Sequence, residues 1–141
     1  KAVELARANA ELNAAANVAF DTGDAFETLK SLAAAGERFG AVILDPPKFA
    51  RTRGAREEAL RAYHWLNRTA LGLLEPGGIL VTCSCSGLVS REDFLDVLTG
   101  AAQQARRHVQ VLQQRGASPD HPVPVNCRES EYLKCFICRA V

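Results

Sequence analysis

The stretch VILDPPKFA, residues 42–50, sets the frame for the whole chain. An apolar run beginning at Ala41 ends in Asp45, and Pro46 and Pro47 then remove two N–H donors and fix the backbone. Lys48 and Phe49 follow. A continuous apolar run of this length predicts a strand over residues 41–45 covered on both faces, as in a parallel sheet. The prolines end pairing and make a rigid, carbonyl-lined step where a flat base can stack or hydrogen-bond, with Asp45 as an acceptor at the strand end. The plainer alternative is a strand terminator with a solvated aspartate. LVTCSCSGL, residues 80–88, has the same construction, an apolar strand ending in small polar and sulfur-bearing residues.

Working outward, residues 2–15 are rich in helix formers, residues 18–21 (VAFD) read as a short strand, and Phe26, Leu29 and Leu32 share one face of a second helix. Beyond the DPP step, Leu60, Tyr63, Leu66, Ala70 and Leu73 recur at helical spacing until EPGG stops the helix. A strand follows over 79–84. Ser90 and Asp93 then form a capping-box pattern that opens a helix through Phe94, Leu95, Leu98 and Ala102. HVQVLQQRG and YLKCFICRA close the chain as two strands joined by a polar loop with prolines. Helix and strand alternate, so the class is α/β with a mostly parallel sheet. In such sheets ligands sit beyond the carboxyl ends of the strands, where both opening stretches lie.

At 141 residues the chain fits one domain, and 48 % hydrophobic with 23 % charged residues is an ordinary globular composition. No apolar run approaches a bilayer span, and the chain reads as cytoplasmic, with no membrane partner. A net charge of +1 says little about partners. Local charge says more: Lys48, Arg51, Arg53, Arg56 and Arg61 cluster just after the prolines against only Glu57 and Glu58. Such a run is either a solvated loop or, beside a nucleic-acid site, a phosphate-contacting rim.

Five cysteines, two of them one residue apart, suit reduced thiols better than a disulfide framework. CFIC at 135–138 has metal-ligand spacing, but on a strand its two thiols point to opposite faces, so no metal site is expected. In TCSCSG a nucleophile needs an exposed place near positive charge. Cys85, nearer the carboxyl edge, is the better candidate, and Cys83 the more buried. GDAF at 23–26 is a third element. Asp24 and the backbone at Ala25 could read the edge of an adenine packed by Phe26, or Asp24 could simply cap a helix with Phe26 in the core.

The order of elements, with Asp-Pro-Pro after one strand and a final pair of strands, resembles that of a class I S-adenosylmethionine-dependent methyltransferase, which implies a Rossmann-like fold with an antiparallel last strand. The joint motifs NAELN, GDAF, LDPPKF, AYHWLNRTALGLLEPGGILVTCSCSG, DHPV and EYLKCF closely resemble the bacterial 23S ribosomal RNA (cytosine-5)-methyltransferases of the single-chain, PUA-containing branch. That resemblance implies methyl transfer from S-adenosylmethionine to carbon 5 of a cytosine through a cysteine adduct at carbon 6. Asp24, Ala25 and Phe26 would then hold the adenosine end of the cofactor, and Asp45, Pro46 and Pro47 would lie between cofactor and base. Cys85 would be the nucleophile, with Asp45 supporting the ring nitrogen. Lys48, Phe49, Arg51 and Arg53 would face RNA. A related branch keeps a second cysteine where this chain has Lys48, so the adduct would be released without it. Two alternatives stand beside this one: methylation of a base nitrogen without a cysteine, and a catalytically silent domain serving assembly.

The glycine-rich turn and the ribose-binding acid of such a fold are missing from these residues. In the family's sheet order (third, second, first, fourth, fifth, seventh, sixth) the first two strands are therefore expected to be absent. Residues 1–141 are expected to be part of a longer enzyme, to bind the cofactor poorly alone, and to offer unpaired edges through which a homodimer could form.

Overall fold

The computed structural model describes all residues 1–141. Two strands, β1 (Phe39–Leu44) and β2 (Leu74–Ser84), pair in parallel with Leu44 opposite Thr82. Parallel neighbours need a long crossover, and it is supplied by an 18-residue helix (Arg56–Leu73). With the helices numbered along the chain, α1 is Ala2–Leu12, α2 is Ala25–Ala34, this crossover is α3 and Arg91–Ala105 is α4. EPGG ends α3 as expected. Pairing jumps from Leu74 with Phe39 to Ile79 with Ala41, so residues 75–78 bulge out. Gly77 takes a φ of +80°, and a Cβ on Gly78 would lie 3.0 Å from the Glu75 carbonyl oxygen. Two glycines are needed there because one supplies the left-handed turn and the other the close approach. Arg107 secures the bulge, donating to the Leu74 and Glu75 carbonyls at 2.8 and 2.9 Å.

β3 (Val109–Arg115) and β4 (Lys134–Ala140) complete the sheet in the order β1-β2-β4-β3. β4 enters between β2 and β3 antiparallel to both, so β1, β2 and β3 run one way and only the last strand opposes them. This is the fourth, fifth, seventh and sixth strand order of the expected fold.

Alternation along β2 and β4 separates two faces. Leu80, Thr82 and Ser84 are buried in phase with Lys134, Phe136, Cys138 and Ala140, whereas Val81, Cys83, Cys135 and Ile137 are half-buried. The first set lies under α3 and α4, in a core that includes Tyr63, Leu66, Leu71, Phe94 and Leu98. Aromatic rings run through this core as a chain: Phe26, Phe49, Tyr63, Phe94 and Phe136, with neighbouring centroids 4.9 to 6.2 Å apart.

Three expectations are corrected. Residues 18–21 form no strand, because the neighbour that would pair with a third strand is its second, and these residues supply none. The segment is tied instead to α1 by Arg7, which donates to the Phe20 carbonyl at 2.8 Å. β1 is also covered on one face only: Leu44 is buried but Ile43 is 71 % exposed. Its apolar run is that of a strand covered on both sides, and here the second side is open. Helix α1 ends at Leu12, earlier than residue 15, and buries none of its residues. No helix is long and apolar enough to cross a membrane.

The capping box forms as read. Asp93 N–H donates to Ser90 Oγ at 3.0 Å and Ser90 N–H donates to Asp93 Oδ2 at 2.8 Å. Arg56 joins α3 to this cap by donating to Asp93 Oδ1 at 2.7 Å. Burial works to raise the Asp93 carboxyl, but the Ser90 hydrogen bonds and the Arg56 guanidinium outweigh it and hold the group below its ordinary value. A depressed carboxylate contributes stability above its unfolded titration and loses it as pH falls through the folded one. Ser90→Ala is therefore expected to cost about 1 kcal/mol in chemical denaturation near neutrality. The difference from wild type should shrink in acid, where Asp93 is protonated.

Candidate active site

The carboxyl ends of β1 and β2 are neighbours in the sheet, so the residues just beyond them, Asp45-Pro46-Pro47 and Cys85, meet. Cys85 Sγ lies 3.9 Å from the Pro46 carbonyl oxygen, a weak contact in which the thiol donates. Ser86 ties the two turns together: its Oγ accepts from the Ala50 N–H at 3.2 Å and lies 3.0 Å from the Tyr63 hydroxyl. Ser86 is fully buried, so these bonds form away from water.

Cys85 opens into a cleft of about 720 Å³. From the turn after β1 it is lined by Lys48 and Arg51, and from the segment before β4 by Arg128, Glu131 and Tyr132. Three cations outnumber the carboxylates of Glu129 and Glu131 around the half-buried thiol, and with the half-exposed Tyr132 ring they form a surface that can take an anionic, base-bearing ligand. Arg53 lies in the short 3-10 turn Arg53–Ala55 and is not among the residues lining the cleft. Phe49 turns inward, packing on Phe26 and Tyr63 against the core. Arg56 is engaged by Glu57 and Asp93.

Cys83 shares the face of Cys85 but sits one pair inside the sheet, directly opposite Cys135. Burial and then the Cys135 hydrogen bond push its thiol up to about 12, which leaves it protonated at neutral pH. Burial likewise raises Cys138 to about 11. Cys135 and Cys138 take opposite faces of β4, the first half-buried and the second buried.

At α2, Asp24 is the N-cap, its Oδ1 accepting from the N–H groups of Phe26 and Glu27 at 2.9 and 3.1 Å. Both bonds use Oδ1. Oδ2 and the N–H of Ala25 remain without a partner in the chain, an acceptor and donor pair that suits the amino edge of an adenine. Phe26 is held inside this turn by Phe49 and by Trp65 at 5.2 Å. Asp45 stands exposed at the end of β1, with no bond from the chain that would compete for a ligand. The donor and acceptor sets at these two turns fit S-adenosylmethionine.

Sequence reasoning missed Ser86, Arg128, Glu131, Tyr132 and Lys134. Lys134 Nζ donates to the carbonyls of Ser86 at 2.7 Å and Tyr132 at 2.8 Å. A signal for it existed, since Lys134 is in phase with Phe136 and Cys138 on a strand whose inward face could be read from its alternation. Arg128 and Tyr132 lie in a segment without periodicity, and only the folded chain brings them to Cys85.

No protein-family profile matches the chain. It is 39 % identical over 142 aligned positions to a ribosomal RNA large subunit methyltransferase I from Pseudoalteromonas atlantica and 40 % identical to that of Erwinia tasmaniensis; each alignment covers 99 % of this chain and 36 % of the relative. The chain thus spans about a third of the length of these curated relatives. Among solved structures, a candidate methyltransferase crystallised with S-adenosylhomocysteine superposes with a TM-score of 0.69 at 23 % identity over 84 % of this chain and 30 % of its own. A methyltransferase homologue from Pyrococcus horikoshii does so at 0.67 and 18 %, over 96 % and 48 %. These likenesses establish the class I methyltransferase fold, and by sequence the chain matches about a third of the length of bacterial proteins described as ribosomal RNA large subunit methyltransferase I.

Proposed function

We propose that this chain carries the catalytic face of an enzyme that methylates carbon 5 of a cytosine in 23S ribosomal RNA, with S-adenosylmethionine as methyl donor and the cytoplasm as its place of action. The observation that carries the reading is the position of Cys85, at 3.9 Å from the Pro46 carbonyl and inside a cleft rimmed by Lys48 and Arg51. Carbon 5 of cytosine is a poor nucleophile. A thiolate from Cys85 adds to carbon 6 and makes carbon 5 enamine-like, able to take a methyl group. Asp45 supports the ring nitrogen while the adduct stands. Once the carbon 5 proton is lost, the carbon–sulfur electrons return to sulfur and the ring double bond re-forms. The donor supplies an electrophilic methyl; Asp24, Ala25 and Phe26, with Asp45, Pro46 and Pro47, orient it. Lys48 and Arg51 contact phosphate, Arg53 extends that rim, and Phe49 braces the step from behind.

In this reading residues 1–141 work within a longer chain whose preceding strands cover the free edge of β1 and the exposed Ile43. A second copy pairing at β1 or β3 is the other occupant these edges admit. Gel filtration of the 141 residues distinguishes them, since a monomer at high concentration counts against the homodimer.

The test is methylation of 23S rRNA from a strain lacking the enzyme by the full-length protein, followed by nucleoside mass spectrometry. The reading requires 5-methylcytosine. A methyl group found only on a guanine or adenine nitrogen would show that the cysteine is not part of the chemistry. No transfer at all by the intact chain would favour a silent assembly domain.

A further inference from the structure

Resting on the reading of Cys85 as a nucleophile, we propose that Lys134 is its positioning residue: the ammonium clamps the turn that carries the thiol and sets beside it the positive charge that favours the thiolate. Lys134 stands opposite Ser84 in the β2–β4 register, one position from Cys85. It is only 5 % exposed, and its strand neighbours on the same face are Phe136 and Cys138. A lysine so placed is costly unless paired. Its two hydrogen bonds go to the neutral carbonyls of Ser86 and Tyr132, and it forms no ion pair in the chain. The buried cation is thus without a contacting anion, and the nearby groups whose negative charge would favour it are the Cys85 thiol, first, and the Asp93 carboxylate.

The two carbonyls belong to the two walls of the cleft: Ser86 follows Cys85 directly, and Tyr132 lines the cleft from the other segment. Clamping both fixes the width of the cleft at the thiol. Burial pushes the Lys134 amine down to about 8, while Cys85 raises it, Arg91 lowers it, Asp93 raises it and Lys48 lowers it. From the cleft side Cys85 is faced by Lys48 and Arg51 and by Arg128, Glu129 and Glu131. Those cleft charges lie on exposed side chains, where water screens them, whereas Lys134 acts through the protein interior. When the thiol ionises, the S–H electrons stay on sulfur and the proton leaves to solvent, because Nζ already carries its three hydrogens; the ammonium then stands as counter-ion to the thiolate. The same ammonium faces the sulfur when the thiolate is expelled from the ring.

The experiment is iodoacetamide alkylation of the full-length protein across a pH series, with Cys85 and Cys127 followed separately by peptide mass spectrometry. Lys134→Met should lower the Cys85 alkylation rate near neutral pH by about tenfold, the effect of losing one nearby opposite charge. It should also move the Cys85 pH profile upward, with the profile of the exposed Cys127 unchanged. Lys134→Arg, which keeps the charge, should restore most of the rate. If Lys134→Met does not fold, Lys134→Gln reads the same loss of charge. Coincident wild-type and Met profiles, or an Arg variant as slow as the Met one, would overturn the assignment. Alkylation needs neither RNA nor methyl donor, so such a failure leaves the methylation reading standing. A normal Lys134 effect in an enzyme that forms no 5-methylcytosine would overturn that reading alone.

Discussion

Full-length enzyme carrying Cys85→Ala is expected to form 5-methylcytosine in 23S rRNA on the order of a thousandfold more slowly than wild type, or not measurably, because loss of a covalent nucleophile removes the route rather than slowing a step. The neighbouring cysteine provides the control. Cys83 lies on the same face, but it is one pair deeper, opposite Cys135, with its thiol pushed up to about 12 by burial. Cys83→Ala should therefore leave the rate within a few-fold of wild type. The two variants differ by two positions in sequence and are expected to differ by orders of magnitude in rate. A Cys85→Ala enzyme that still methylates would move the chemistry to a base nitrogen, and an inactive Cys83→Ala enzyme with normal stability would exchange the two assignments. The measurement is single-turnover incorporation of labelled methyl into rRNA, with each variant's melting curve recorded alongside.

The second large effect is on stability. Phe94→Ala should cost about 3–5 kcal/mol, the range for truncating a fully buried aromatic ring. Phe94 has no exposed surface, and it stands edge-on to Tyr63 at 5.2 Å and beside Phe136 at 5.7 Å. It joins α4 to α3 and to β4, so the cavity left would adjoin three elements at once. Domains of ordinary stability have only about 5–15 kcal/mol in total. Guanidinium titration should show a large fall in midpoint, and an unchanged midpoint would mean that the aromatic chain is not part of the core. Because Tyr63 leans on this ring and its hydroxyl contacts Ser86, the variant should also loosen the turn that carries Cys85. Faster, less selective alkylation of Cys85 and Cys83 would report that loosening.

Most of the fold could be read from local pattern. The run before Asp45, the helical spacing from Leu60 to Leu73, the glycines of EPGG and the Ser90–Asp93 box each specify their element by short-range chemistry, and each element formed. What could not be read depended on partners. Residues 18–21 have strand-like composition, but a strand exists only when a neighbour accepts its hydrogen bonds. Ile43 belongs to a run that reads as buried, and it is exposed because nothing in these residues covers that face.

The site divides in the same way. Cys85 and the DPP step carry their chemistry in their own sequence, and the parallel pairing of β1 with β2 brings them together. Asp24 serves as the cap that its sequence position suggested, while keeping one oxygen free. Ser86 and Lys134 look like an ordinary small residue and an ordinary lysine until the register of β4 against β2 is known. Their importance lies in contacts across 36 to 48 residues of chain, which no local pattern encodes.

The most direct test of the central claim is to trap the adduct. The full-length enzyme is incubated with methyl donor and an RNA substrate carrying 5-fluorocytosine at the target position, where no proton can be removed from carbon 5 and the thiol cannot leave. The account predicts a covalent protein–RNA complex, with the methylated nucleotide attached to the peptide that contains Cys85 and to the sulfur of that residue. A complex joined through Cys83, or methyl transfer to the fluorinated RNA with no covalent complex, would contradict it.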